Sequence, residues 1–206
     1  MNNTIKQGIS FKNKKVIIFD LDGTIVRLTA DWMSLKEILV IKYKEIYEEN
    51  RDFENISACL SKIVELKDRQ VLEDFFNIIK QFEFKNIKNN EPIEETIFFL
   101  KKCKLFGVIK GAKFAILSLN MRNTIVESLK LVGVYEKFDF IVGREDVSSW
   151  KPAPEGLIRI KNHFRIGKDK MIYFGDLEKD IMTGKNAGVE AYLIDDLINL
   201  VNIKRK

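Results

Sequence analysis

Five short runs in this chain are apolar without alternation: "KVIIF" at 15–19, "KFAILSL" at 113–119, "FDFIVG" at 138–143, "MIYFG" at 171–175 and "EAYLI" at 190–194. A strand with one wet face alternates polar and apolar residues, whereas a strand covered on both faces of a parallel sheet does not. Helical patterns separate the last four runs. "MRNTIVESLKLVG" (121–133) and "EKDIMTGKNAG" (178–188) end on glycine, and "APEGLIRIKNHF" (153–164) carries proline in its first turn. Strand and helix in alternation predict an α/β fold, a doubly wound, Rossmann-like parallel sheet.

The interval between the first two runs breaks this rhythm, because a simple crossover needs only a dozen residues or so. Apolar residues at helical spacing fill most of it, at 31–49, 55–66 and 68–84, and "KNIKNNEP" (85–92) reads as a polar linker. "PIEETIFFLKKCKLF" then reads as the crossover helix, with Pro92 in its first turn. The expected organisation is a core of residues 1–26 and 91–206 with a helical domain, 27–90, inserted into it.

Composition removes several function classes. The net charge of +5 comes from 35 basic and 30 acidic residues spread through one another, which describes a solvated surface rather than a nucleic-acid footprint. Lys44, Arg51 and Arg69 in the insertion belong to that surface. His163 is the only histidine, so triads needing a second histidine and His-rich metal sites are out. Cys59 and Cys103 lack metal-ligand spacing and read as free thiols in helices. Phe75, Phe76, Phe98 and Phe99 read as core. No run of 18 apolar residues suits a membrane, and "MNNTIKQGISFKNKK" lacks a secretory pattern, so a cytoplasmic location is expected.

Ligands of an open parallel sheet gather beyond the carboxyl ends of its strands. There the first strand delivers Asp20, Asp22, Gly23 and Thr24; the second delivers Ser118 and Asn120. Lys151 follows the third, and the fourth delivers Gly175 and Asp176, with Asp180 on the opening turn of the next helix. Carboxylates converging at one edge repel one another unless a cation sits among them, and a hard divalent ion such as Mg²⁺, which keeps waters for substrate phosphate, suits oxygen ligands. Lys151, Ser118 and backbone N–H groups after Asp20 and near Asn120 are candidates to hold a phosphate's other oxygens. One carboxylate of a pair can attack phosphorus while the other serves as acid and then base. Gly23 permits the sharp turn between them and the rest of the chain.

These residues resemble the motifs of the haloacid dehalogenase superfamily. "DLDGT" (20–24) matches the first motif, Ser118 in "AILSLN" the second, Lys151 in "WKPAPEG" the third and "GDLEKDI" (175–181) the fourth, in order over residues 15–195. The resemblance implies that Asp20 is nucleophile and metal ligand, and that Asp22 is general acid/base with its backbone carbonyl on Mg²⁺. It makes Asp176 the remaining metal ligand and Lys151 catalytic and phosphate-binding. Thr24, Ser118 and Asn120 would serve the substrate side, while Gly23, Gly175 and Asp180 would support the site. An insertion after the first motif is similar to the helical cap of the phosphoglycolate phosphatase-like branch, although capped relatives often carry an acid where this chain has Arg27.

The implied function is a Mg²⁺-dependent phosphatase for a small phosphorylated metabolite, with neither nucleic acid nor membrane as partner. Asp22 argues against dehalogenation, which needs no second aspartate. A phosphomutase, a phosphonate hydrolase and a non-catalytic phosphate-binding protein remain open on the sequence. A receiver domain is disfavoured, since Lys151 precedes Asp176 and an insertion follows the first strand.

Overall fold

The structure, a computed structural model, describes residues 8–85 and 87–205; the expectation about the extreme N-terminus falls partly outside them. In chain order the elements are β1 (Val16–Phe19), β2 (Val26–Arg27), α1 (Trp32–Tyr47), α2 (Ile56–Glu65), α3 (Arg69–Phe84), β3 (Glu91–Pro92) and α4 (Glu94–Lys102). They continue with β4 (Lys113–Leu117), α5 (Arg122–Leu131), β5 (Phe140–Val142), α6 (Glu155–Phe164), β6 (Met171–Gly175), α7 (Glu178–Ala187), β7 (Glu190–Leu193) and α8 (Ile194–Arg205).

Five strands form one parallel sheet in the order β5-β4-β1-β6-β7, as the unalternated runs predict. β1 is central, with Val16 opposite Lys113 on one side and Met171 on the other. Successive side chains of β1 point to opposite faces. Val16 and Ile18 join a core with Leu117 and Tyr173, and Ile17 and Phe19 join one with Ile116 and Phe174. Each such buried side chain contributes roughly 1.5–3 kcal/mol relative to exposure.

The three helices of the insertion each start on a side-chain cap. Asp31, Asn55 and Asp68 accept from the backbone N–H of Ser34, Ala58 and Val71, each cap worth about 1 kcal/mol. Their apolar faces meet through Leu35, Leu39, Tyr43, Phe75 and Ile79, and this interior is continuous with the sheet core that contains Val16 and Ile18.

Two expectations change. The 85–92 stretch is more than a linker: Glu91 and Pro92 pair antiparallel with Arg27 and Val26, so the chain leaves for the insertion and returns from it side by side. Pro92 therefore lies in a short strand, and α4 begins after it at Glu94. Beyond the last strand, α8 adds buried Ile194, Leu197 and Val201, which complete one sheet face. Of the cysteines, Cys59 is buried and Cys103 half-buried, both free. Phe75 and Phe99 are fully buried, and Phe76 and Phe98 half-buried. No described helix is long and apolar enough to cross a membrane.

Candidate active site

β1 ends on Phe19, and the next residue, Asp20, turns its carboxylate into a cavity of about 630 Å³ between the sheet edge and the insertion. Asp20, Asp22, Ser118, Asn120, Lys151 and Asp176 all line that cavity, so four separate strand ends bring their side chains to one place. Trp32, Met33 and Ile56 close it from the side of the insertion. Lys44, Arg51 and Arg69 are exposed.

Lys151 organises the floor. Its ammonium lies 2.8 Å from Asp20 Oδ2 and 2.6 Å from Asp180 Oδ1, with all three side chains buried. It also donates to the hydroxyl of Tyr173 at 3.0 Å, and that hydroxyl donates to Asp180 at 2.7 Å. Burial works against the charged lysine, but the two carboxylates outweigh it and hold its pKa above the ordinary value. Burial pushes Asp20 up against the pull of Lys151. Asp180, also buried, is held below its usual value by Lys151, Tyr173 and the Leu177 N–H.

Asp22 is placed differently. Its Oδ1 accepts from Leu28 N at 2.9 Å and its Oδ2 from Trp32 Nε1 at 3.2 Å. Burial raises its pKa despite both hydrogen bonds. The turn that follows it is closed by Gly23 N donating to Val26 O, with Gly23 at φ +69°. A Cβ at Gly23 would strike the Asp176 carboxylate, and one at Gly175 would strike Asp180, so both glycines let acids approach the backbone.

One oxygen from each of Asp20, Asp176 and Asp180 lies within 4.8 Å of the others. Burial and the charges of Asp20 and Asp180 push Asp176 up to about 6. Such crowding of hard oxygen donors fits a divalent cation such as Mg²⁺. Asp180 is already committed to Lys151, Tyr173 and Leu177, and the Asp22 carboxylate to Leu28 and Trp32. Asp20 is held as well, Oδ1 by Leu21 N at 2.7 Å and Oδ2 by Lys151, so among the four Asp176 is the carboxylate with most capacity to spare.

Ser118 Oγ donates to Asn120 Oδ1 at 2.9 Å and accepts from Asn120 N. The Asn120 amide in turn donates to Glu83 Oε1 at 3.2 Å, while Glu83 Oε2 accepts from Met121 N at 3.0 Å. Glu145 accepts from Arg122 N. The backbone donors at the start of α5, expected to serve a phosphate, are thus occupied by two glutamates. Thr24 also differs from expectation: it is fully buried, it does not line the cavity, and its hydroxyl has no hydrogen-bond partner among the described residues. Its place beneath the first turn puts it out of reach of a ligand.

A model of the haloacid dehalogenase-like hydrolase family matches residues 17–194, which include every one of these side chains. The chain belongs to that family. This haloacid dehalogenase-like hydrolase is 30% identical over 183 residues to the pyrophosphatase PpaX of Halalkalibacterium halodurans, covering 86% of this chain and 82% of the relative. It is 27% identical to the PpaX of Bacillus cereus strain Q1 over 84% of this chain and 80% of that one. Among solved structures, CbbY from Rhodobacter sphaeroides in complex with phosphate shares its fold with a TM-score of 0.60 at 14% identity, covering 87% of this chain and 85% of that one. So does a predicted phosphoglycolate phosphatase from Haemophilus somnus, with a TM-score of 0.60 at 18% identity over 94% of this chain and 99% of the other.

Four residues of this hydrolase's site escaped the sequence reading: Trp32, Glu83, Arg144 and Tyr173. Glu83 was detectable, since Val71, Phe75, Ile79 and Glu83 recur every four residues along the buried stripe of α3. Arg144 sits just past the end of β5, at the edge where ligands gather.

Proposed function

We propose that the protein is a Mg²⁺-dependent phosphatase acting on a small phosphorylated metabolite through a phosphoryl group carried on Asp20. The contact of Lys151 with both Asp20 and Asp180, beside Asp176 and beneath the cavity that Ser118 lines, carries this reading. In it an Asp20 oxygen attacks phosphorus as the bond to the leaving oxygen breaks, and Asp22 gives that oxygen its proton. Asp22 then takes a proton from water, whose oxygen attacks phosphorus and releases phosphate, restoring Asp20. Lys151 and the Ser118 hydroxyl bind phosphoryl oxygens and offset the charge that develops on them. Mg²⁺, held by Asp20, Asp176 and the main-chain carbonyl of Asp22, would add positive charge at the same oxygens.

The helices of 27–90 act as a cap that excludes water and selects the leaving group, a role supported by Trp32, Met33 and Ile56 in the cavity wall. The PpaX relatives are pyrophosphatases by name, so inorganic pyrophosphate belongs in the substrate panel with small phosphomonoesters.

The test is phosphate release from p-nitrophenyl phosphate, pyrophosphate, phosphoglycolate and sugar phosphates, with Mg²⁺ and with EDTA. Metal-dependent release that falls by about 10³-fold or more in Asp20→Asn is the expected result. Full activity in that variant, or release unaffected by EDTA, would overturn the mechanism.

A further inference from the structure

Arg144 is only 4% exposed and lines the cavity, yet its Nε and Nη1 donate to nothing among the described residues. Its backbone is fixed from two sides. Its N–H donates to Asn120 O at 2.9 Å, and its carbonyl accepts from Trp150 Nε1 at 2.9 Å, which sets the direction of the side chain. The acids that act on its charge are Glu83 and Glu145. Both already serve the start of α5, Glu83 through Asn120 Nδ2 and Met121 N, and Glu145 through Arg122 N.

A buried guanidinium with two nitrogens unpartnered among the described residues is costly, and this one lines the space where a ligand would sit. It also enters from a separate side. β5 is two strands away from β1 in the sheet, so Arg144 departs from a strand about 9–10 Å from the one that carries Asp20. Lys151 already serves the Asp20 end. The planar fork of arginine matches the paired oxygens of a carboxylate or phosphoryl group.

We propose that Arg144 binds a second anionic oxygen group of the substrate, beyond the phosphoryl transferred to Asp20, and so makes the enzyme favour substrates with an anion at each end. The inference rests on the phosphatase reading for its kinetic arm. Pyrophosphate presents a phosphoryl group as that second anion, phosphoglycolate a carboxylate, and p-nitrophenyl phosphate none.

The experiment compares wild type, Arg144→Lys and Arg144→Met on these three compounds. The expected result in Arg144→Met is a fall of about 10²-fold in kcat/KM, mostly through KM, for pyrophosphate, phosphoglycolate or both. Values for p-nitrophenyl phosphate stay within about threefold, and Arg144→Lys recovers part of the loss. Which dianionic compound responds identifies the second group. An equal fall on all three substrates, or none on any, would overturn the proposal.

Calorimetry separates this from the phosphatase reading and covers a variant that folds poorly. In Asp20→Asn protein with Mg²⁺, pyrophosphate or phosphoglycolate should bind at least tenfold more tightly than inorganic phosphate, and that preference should shrink in Asp20→Asn/Arg144→Lys. Absence of the preference refutes the role of Arg144 even if the enzyme turns over. A preference that shrinks in the double variant supports the role even if the compounds tested are not hydrolysed, and one that persists unchanged there refutes it.

Discussion

The indole nitrogen of Trp32, on the first helix of the insertion, donates to the Asp22 carboxylate across 3.2 Å. A hydrogen bond to the ionised form lowers a carboxyl pKa, so this donor opposes the burial that raises Asp22. Trp32→Phe removes the donor and keeps the ring, and the pKa of Asp22 rises. If Asp22 protonates the leaving oxygen, the rate with an alkyl phosphate falls as pH rises through that pKa. The falling limb should therefore move to higher pH in the variant. A pH–rate profile that does not shift would sink the assignment of Asp22.

Lys151→Met places an uncharged side chain between Asp20 and Asp180, leaving two buried acids uncompensated. Removing one partner of a buried pair costs roughly 3–5 kcal/mol. The expected outcome is a lower melting temperature together with a fall in kcat of about 10²-fold or more. Urea titration and steady-state kinetics check the two effects separately. A variant with normal kcat would remove Lys151 from the chemistry.

Asp176 gives a pH test that needs no substrate. Its folded pKa, about 6, lies above the ordinary value of 3.8, so between those values the folded state binds more protons than the unfolded one. Its charge therefore destabilises the metal-free fold as pH rises through about 6, and a cation that neutralises the cluster relieves this. Mg²⁺ should raise the melting temperature more at pH 7.5 than at pH 5. Equal shifts at both values would argue against Asp176 as a ligand.

Gly23→Ala tests how close the first turn comes to the fourth strand end. The new Cβ must occupy space taken by the Asp176 carboxylate, on a backbone at φ +69°. The positive φ alone costs about 1–2 kcal/mol for a residue with a side chain. Mg²⁺ affinity, measured by calorimetry, should fall at least tenfold, and an unchanged affinity would place the ion elsewhere.

Much of this architecture was legible because burial on both faces leaves no room for polar residues, so β1, β4 and β6 stand out as unbroken apolar runs. The acids were legible for the same reason: Asp20 and Asp176 interrupt those runs at the edge where a parallel sheet receives ligands. The β2–β3 pair was not, since two-residue strands carry no period. Arg144 looked like any charged loop residue after Gly143, because only the folded chain reveals that it is buried and short of hydrogen bonds. Tyr173 reads as one apolar member of its strand until its hydroxyl is seen reaching Lys151 and Asp180.

The pairing of Val26 with Pro92 and of Arg27 with Glu91 brings the two ends of the insertion to neighbouring positions, with Cα atoms about 5 Å apart as in any antiparallel pair. Seen from the sheet, everything in between is a cassette on a two-stranded stem. The stem is not its only tie to the site, since Trp32 holds Asp22 and Glu83 holds Asn120 and Met121. The contacts among Asp20, Lys151 and Asp180 lie wholly outside it, so an exchange of these helices would reset the former set of residues and spare the latter.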